Sequence, residues 1–244
     1  MPRVTGSNMW RGMHLPLVAL DIDGTLLRTR GAGRQALDEA FHALYGWEDA
    51  TEGVNVAGAT DEVICRDVAR RFGVPWTAAD TERLVAAYLP ALDRRLADPT
   101  RTELLPGVEA LIAALEGVAH VALLTGNWTA GADRKLAAAG LADRFAFGAF
   151  AEDAEDRNGL VPVVVERARA RGLAVGGVLV IGDTINDVIC ARAGGAAVVV
   201  VETGFCTPDE LAASGPDLQV RDLAEGLPWI LALVGALHDS AGAA

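Results

Sequence analysis

Short, uninterrupted apolar runs recur along the chain, and each ends on a polar or glycine-bearing turn. Leu17–Leu20 stops at Asp21, Val118–Leu124 at Thr125-Gly126-Asn127, Gly177–Ile181 at Gly182-Asp183, and the Val-rich Ala196–Val201 at Glu202-Thr203-Gly204. A weaker run, Arg144–Phe150, offers one more strand. Runs this short that do not alternate read as strands buried on both faces. Between them lie helical patterns: Ala130–Ala139 before Gly140, Val163–Arg171 before Gly172, and Asn186–Ala193 before Gly194-Gly195, each glycine suited to a helix C-terminus. Strand alternating with helix predicts an α/β fold, a doubly wound parallel sheet with helices on both faces. In such sheets sites form beyond the carboxyl ends of the strands, which is where the polar residues fall.

The stretch from about Gly33 to Thr102 breaks this alternation and contains no strand pattern. Leu37, Phe41 and Leu44 share one helical face, as do Ile64, Val68 and Phe72. Thr60 is placed as an N-cap for the second helix, with Asp61 and Glu62 in its first turn. A third stripe, Leu84, Tyr88, Leu92 and Leu96, follows Thr77, with Pro90 as a kink or break. These patterns divide the chain into a tail (1–14), a core (15–30 and 103–244) and an inserted helical segment (31–102). The apolar stretch Leu227–Leu237 contains Pro228 and is too short for a bilayer, which needs about twenty residues. Met1–His14 is polar, lacks the apolar run of a signal peptide and reads as a frayed tail, with Met9 and Met13 as alternative start residues.

Charge and composition narrow the function classes. With 33 acidic and 21 basic residues the formal charge is −12. No net positive field would draw a phosphate backbone, so nucleic acid is not an expected partner. A small anion remains possible, because a metal or a few Arg reverse the sign locally. The bases are almost all Arg; Lys135 is the single Lys. Cys65, Cys190 and Cys206 are too few and too scattered for a disulfide framework or a zinc site, which points to core roles and a reducing, cytoplasmic compartment. The 244 residues suffice for one or two domains, and a monomer or homodimer is expected.

Chemistry concentrates at the strand ends. In Asp21-Ile22-Asp23-Gly24-Thr25-Leu26, alternate residues of an extended segment point the same way, so Asp21 and Asp23 converge, and Gly24 permits a tight turn. Two carboxylates that close call for a cation or a shared proton. A second acidic cluster, Gly182-Asp183-Thr184-Ile185-Asn186-Asp187, places Asp183 at a strand end and Asp187 in the first turn of a helix. Asp21, Asp23, Asp183 and Asp187 together make an all-oxygen site suited to Mg²⁺. Thr125-Gly126-Asn127 offers a hydroxyl and helix N-terminal amides to a phosphate, with Asn127 or Thr129 as N-cap.

These three segments, in this order, resemble those of the haloacid dehalogenase superfamily, in its phosphatase branch with an inserted helical cap. The resemblance spans nearly the whole chain after the tail. It implies a Rossmann-like core and a phosphoglycolate phosphatase-like relative, a hydrolase of a small phosphorylated metabolite with no membrane partner. In those terms Asp21 is the nucleophile, and Asp23 protonates the leaving group and then activates water. Asp21, the backbone carbonyl of Asp23 and Asp183 hold Mg²⁺, with Asp187 supporting them. Thr125 and the amide of Asn127, beside Gly24 and Gly126, bind the transferring phosphate. The presence of Asp23 separates phosphate chemistry from dehalogenation.

The departure is a missing cation. The family usually carries a Lys between the second and third sites, pairing the nucleophile and the phosphate. Lys135 lies ten residues past Thr125, about 15 Å along a helix, and is expected at the surface. Arg157, in Glu155-Asp156-Arg157-Asn158-Gly159, is the expected substitute, holding phosphate through its fork. Arg28, Arg30 and Arg34 near the hinge, and Gly58, Thr60, Asp61 and Arg66 in the insertion, are candidates for meeting substrate. Phosphoglycolate phosphatase relatives often carry Asp-Ser soon after the first motif, where this chain has Leu27-Arg28-Thr29, so glycolate phosphate is not assigned. A phosphomutase using the same two acids, and a non-catalytic binding relative, are the alternatives.

Overall fold

The computed structural model describes residues 14–241, so nearly all of the expected tail lies outside the described residues. Six parallel strands form one sheet in the order β5-β4-β1-β6-β7-β8. They are β1 (Leu15–Leu20), β4 (His120–Leu124), β5 (Gly148–Ala149), β6 (Val175–Gly182), β7 (Ala197–Val201) and β8 (Leu218–Val220). All five expected strands are present. The Arg144–Phe150 run yields only the two residues of β5, and β8 was not expected. The β1–β6 register shifts between Leu15 and Leu17, around Pro16, which has no N–H to give the ladder.

Strand β1 is buried throughout and feeds both faces. Val18 and Leu20 belong to one apolar layer, together with α4 (Val108–Leu115), α5 (Thr129–Ala138) and α9 (Leu223–Ala241). Leu17 and Ala19 belong to the other, with α6 (Leu160–Ala170) and α7 (Ile185–Ala193). The period-2 alternation of a strand thus supplies both cores. The chain leaves β1 for β4 on one side and later reaches β6 on the other, so the strand order reverses at β1 and a crevice opens at its carboxyl end. Among the described residues no helix is long and apolar enough to cross a membrane.

The helical insertion is α1 (Ala32–Tyr45), α2 (Asp61–Arg71) and α3 (Ala78–Leu96), built around its own apolar cluster. Phe41, Leu84, Tyr88 and Leu92 are fully buried there, and Trp128 of the core joins them. Leu44, expected on the same stripe, is exposed. Pro90 does not break α3. It sits on the exposed face, where water can serve the carbonyl that its missing N–H leaves free. Trp47 stacks on Phe72 with ring centroids 4.3 Å apart. Both ends of the insertion cross on a short antiparallel ribbon, β2 (Leu27–Arg28) with β3 (Glu103–Leu104).

Candidate active site

Beyond the carboxyl end of β1 lies a cavity of about 670 Å³, shared by the core and the insertion. The turn that carries the first acids is wound tightly: the amides of Thr25, Leu26 and Leu27 all donate to the carbonyl of Ile22. Gly24 has φ +84°, and a Cβ there would overlap the Asp183 carboxylate. Glycine is therefore required both by the backbone and by the close approach of the two acidic segments.

Asp21, Asp183 and Asp187 are all buried, and each offers an oxygen within 4.8 Å of the others. Asp183 Oδ1 accepts from Thr25 Oγ1 at 3.4 Å, whereas Oδ2 is buried with no partner among the described residues. Asp187 closes a capping box on α7, its Oδ2 accepting from the Thr184 amide at 2.9 Å and from the Thr184 hydroxyl at 2.7 Å. Burial raises the Asp21 carboxyl to about 6, with Arg157 opposing the shift and Asp187 and Asp23 adding to it. Asp183 is pushed well above the ordinary carboxylate range by burial and by Asp21 and Asp187. Burial and mutual repulsion together outweigh the one opposing charge, that of Arg157.

Arg157 is brought into the site, though not as a free fork for phosphate. Its Nη2 lies 3.3 Å from Asp21 Oδ1 and pairs with Asp187 Oδ1, while Nη1 donates to the carbonyl of Gly58 at 3.1 Å. Two carboxylates and a carbonyl of the insertion thus take up the fork that the sequence assigned to a phosphate.

Lys135 is the clearest correction. It is 5% exposed, not a surface residue, and its Nζ donates to Asp23 Oδ2 at 2.5 Å and to Asn127 Oδ1 at 2.6 Å. The expectation counted helix from Thr125, but α5 begins at Thr129. The axial distance is therefore about 9 Å, and a helical side chain leans back towards the N-terminus, so the long Lys stem covers the rest. Composition carried a signal: in a chain that otherwise uses Arg, the single Lys sits where a compact ammonium fits beside Gly33.

Asp21 and Asp23 line the same cavity but are held by different cations, Arg157 and Lys135. Asn127 links the second acid to the next strand end. Its Nδ2 donates to Asp23 Oδ2 and to Thr125 Oγ1, both at 2.8 Å. The N-cap of α5 is Trp128, not Asn127 or Thr129, and it makes no side-chain cap. The amides of Trp128 and Thr129 are instead taken by Asp61 (2.9 Å) and Glu152 (3.0 Å). The amides left beside Thr125 for an anion are those of Gly126 and Asn127, the latter leaning on Thr125 Oγ1 at 3.4 Å. Thr60 caps α2 as expected. Arg28, Arg30 and Arg34 line the cavity, each with a protein partner: the Thr203 carbonyl, Glu103 and Thr51.

Asp61, expected as a first-turn acid and as a candidate for meeting substrate, is buried against the core, and desolvation raises its carboxyl to about 7. That value lies above the ordinary 3.8 of an Asp side chain, so its contribution to stability is complete below about pH 4 and is lost as pH rises through 7. Asp61→Asn keeps an acceptor for the Trp128 amide and removes the titration. Its stability, followed by thermal melts, should exceed that of the parent by about 1–3 kcal/mol more at pH 8 than at pH 5. Parallel pH profiles for the two proteins would show that Asp61 carries no such strain.

A family profile described as haloacid dehalogenase-like hydrolase matches residues 15–195. The probable phosphatase IndB of Dickeya dadantii (strain 3937) is 28% identical over 234 residues, covering 91% of this chain and 94% of that protein. In fold the chain is similar to CbbY of Rhodobacter sphaeroides, solved in complex with phosphate, at a TM-score of 0.70, with 20% identity over 87% of this chain and 96% of that one. A hydrolase from Pseudomonas syringae gives a TM-score of 0.68, with 22% identity over 90% of this chain and 99% of that one.

Proposed function

The chain belongs to the haloacid dehalogenase-like hydrolase family, and from that premise we propose that it is a Mg²⁺-dependent phosphatase of a small phosphomonoester, working through a phospho-aspartyl intermediate on Asp21. The observation that carries this reading is the pair Asp21 and Asp23, facing one cavity with separate buried cations. The relative IndB, named a probable phosphatase, supports the same substrate class.

The acids fit a hard divalent cation. Asp183 Oδ2 is orphaned, Asp21 and Asp183 are both driven towards protonation, and every donor is oxygen. Asp21 and Asp183, with the backbone carbonyl of Asp23, would hold Mg²⁺. Asp187, already engaged by Arg157 and Thr184, would support them. Bound there, the ion offsets the repulsion between a carboxylate and a phosphate and the charge that develops in transfer.

In the first step an Asp21 oxygen attacks phosphorus, the bond to the ester oxygen breaks, and that oxygen takes a proton from Asp23. In the second, water attacks the aspartyl phosphate, gives a proton to Asp23, and the Asp21–phosphorus bond breaks to release phosphate. Arg157 holds Asp21 in place, and Thr125 with the Asn127 amide steadies the phosphoryl group. The insertion excludes bulk water through the 57–61 loop, whose Ala57 carbonyl accepts from Asn186 Nδ2 and whose Asp61 amide donates to the Gly126 carbonyl.

Two measurements test this. Chelation should abolish hydrolysis across a panel of phosphomonoesters, and added Mg²⁺ should restore it. Borohydride quenching during turnover should convert residue 21 to homoserine, read by peptide mass. Chelator-resistant turnover, or label on another residue, would refute the mechanism.

A further inference from the structure

Asp23 is gripped through one oxygen only. Lys135 Nζ and Asn127 Nδ2 both donate to Oδ2, at 2.5 and 2.8 Å, and among the described residues no donor is recorded on Oδ1. Lys135 also donates to Asn127 Oδ1, so the three side chains form a closed ring of hydrogen bonds. The Asp23 side chain keeps 31% of its exposure and lines the cavity, whereas the Lys135 side chain keeps 6%. The space for the ammonium is set from outside the ring: a Cβ on Gly33 would lie 3.2 Å from Nζ.

A buried ammonium tied to both a carboxylate and an amide has little freedom, and it transmits that rigidity to its partners. An acid/base must sit within hydrogen-bond reach of the atom it serves, and small misplacements are costly in rate. We propose that Lys135 is the positioning residue of the acid/base: with Asn127 it fixes Asp23 through Oδ2 and leaves Oδ1 to exchange the proton with the leaving group and then with water. This rests on the phosphatase reading above. It differs from the role expected of a family Lys, because this cation lies on the second acid rather than on the nucleophile, which Arg157 holds.

Leaving-group dependence separates positioning from general damage. The purified full-length chain is assayed with Mg²⁺ on a series of aryl phosphomonoesters from 2,4-dinitrophenyl phosphate, which departs without a proton, to phenyl phosphate, which needs one. For Lys135→Met, kcat/KM should fall by roughly 10²-fold or more on phenyl phosphate and by less than about tenfold on the dinitrophenyl ester. Asp23→Asn should show the same steepened dependence, and the double variant should lose little beyond Asp23→Asn alone. A reduced folded fraction lowers every substrate equally and leaves the ratio unchanged. Lys135→Arg keeps the charge but not the shape and should also steepen the series, which covers a Lys135→Met that does not fold. A uniform loss in the Lys135 variants, or a parental slope, overturns the proposal while a steep Asp23→Asn leaves the phosphatase reading standing. A parental slope in Asp23→Asn overturns that reading itself.

Discussion

Asp21→Asn should lose Mg²⁺-supported phosphomonoester hydrolysis by roughly 10⁴-fold or more while folding better than the parent. The rate follows from removing the proposed nucleophile, which no neighbour replaces. Both Asp187 oxygens are taken, by Arg157 and Thr184, and Asp23 is held through Oδ2 by Lys135 and Asn127, its Oδ1 serving the proton in the proposed mechanism, so neither stands in for Asp21. The stability gain follows from the same buried charge. The Asp21 carboxyl stands at about 6 against the ordinary 3.8 of an Asp side chain, raised first by desolvation. Its folded value is the higher one, so its stabilising contribution is complete below about pH 4 and lost as pH rises through 6. An isosteric amide keeps an acceptor for Arg157 and never carries that charge. Without metal at pH 8, denaturant melts should show Asp21→Asn more stable by about 1–3 kcal/mol. The opposed signs matter, because a variant that was inactive through misfolding would lose both. A variant keeping even a tenth of the parental rate would remove Asp21 from the chemistry.

Local sequence was informative wherever one short segment carried both the structural reason and the chemistry. A parallel strand buried on both faces must be an unbroken apolar run, so β1 and β6 were legible, and the acids that follow them were thereby placed at strand ends. The short β8, a three-residue edge strand reading Leu-Gln-Val, leaves too little pattern to see. What escaped was chemistry made by distant partners. The Trp128 amide is served by Asp61, 67 residues earlier in the chain, so no local signal could show that Asn127 was free to bridge Thr125 and Asp23 instead of capping α5. Lys135 escaped through a small geometric slip with a large consequence, since four residues counted as helix belong to the turn. Arg157 lines the cavity, but its partners were legible only once Asp21, Asp187 and the Gly58 carbonyl met in space.

Arg157→Met should be damaged in both respects in which Asp21→Asn is split. The guanidinium is buried, and the carboxylates of Asp187 and Asp21 hold it well above its ordinary range, so it stays charged at every working pH. Removing one partner of a buried ion pair leaves uncompensated charge and costs about 3–5 kcal/mol. Here two carboxylates would be stranded, beside an Asp183 already pressed towards protonation. The loss should grow from pH 5 to pH 8 as Asp21, raised to about 6, ionises, and Mg²⁺ should return part of it by supplying charge to the same oxygens. Turnover at saturating Mg²⁺ should still fall by roughly 10²–10³-fold, because a metal replaces the charge but not the planar fork that orients Asp21 and reaches Gly58. Arg157→Lys discriminates between these contributions: its single ammonium should recover much of the stability yet little of the rate, since it cannot span Asp21, Asp187 and the Gly58 carbonyl together. Melts with and without Mg²⁺, paired with kcat, read the two quantities separately. If Arg157→Met matched the parent in both, the nucleophile would need no protein cation beside it, and the pairing of each acid with its own cation would lose its mechanistic meaning.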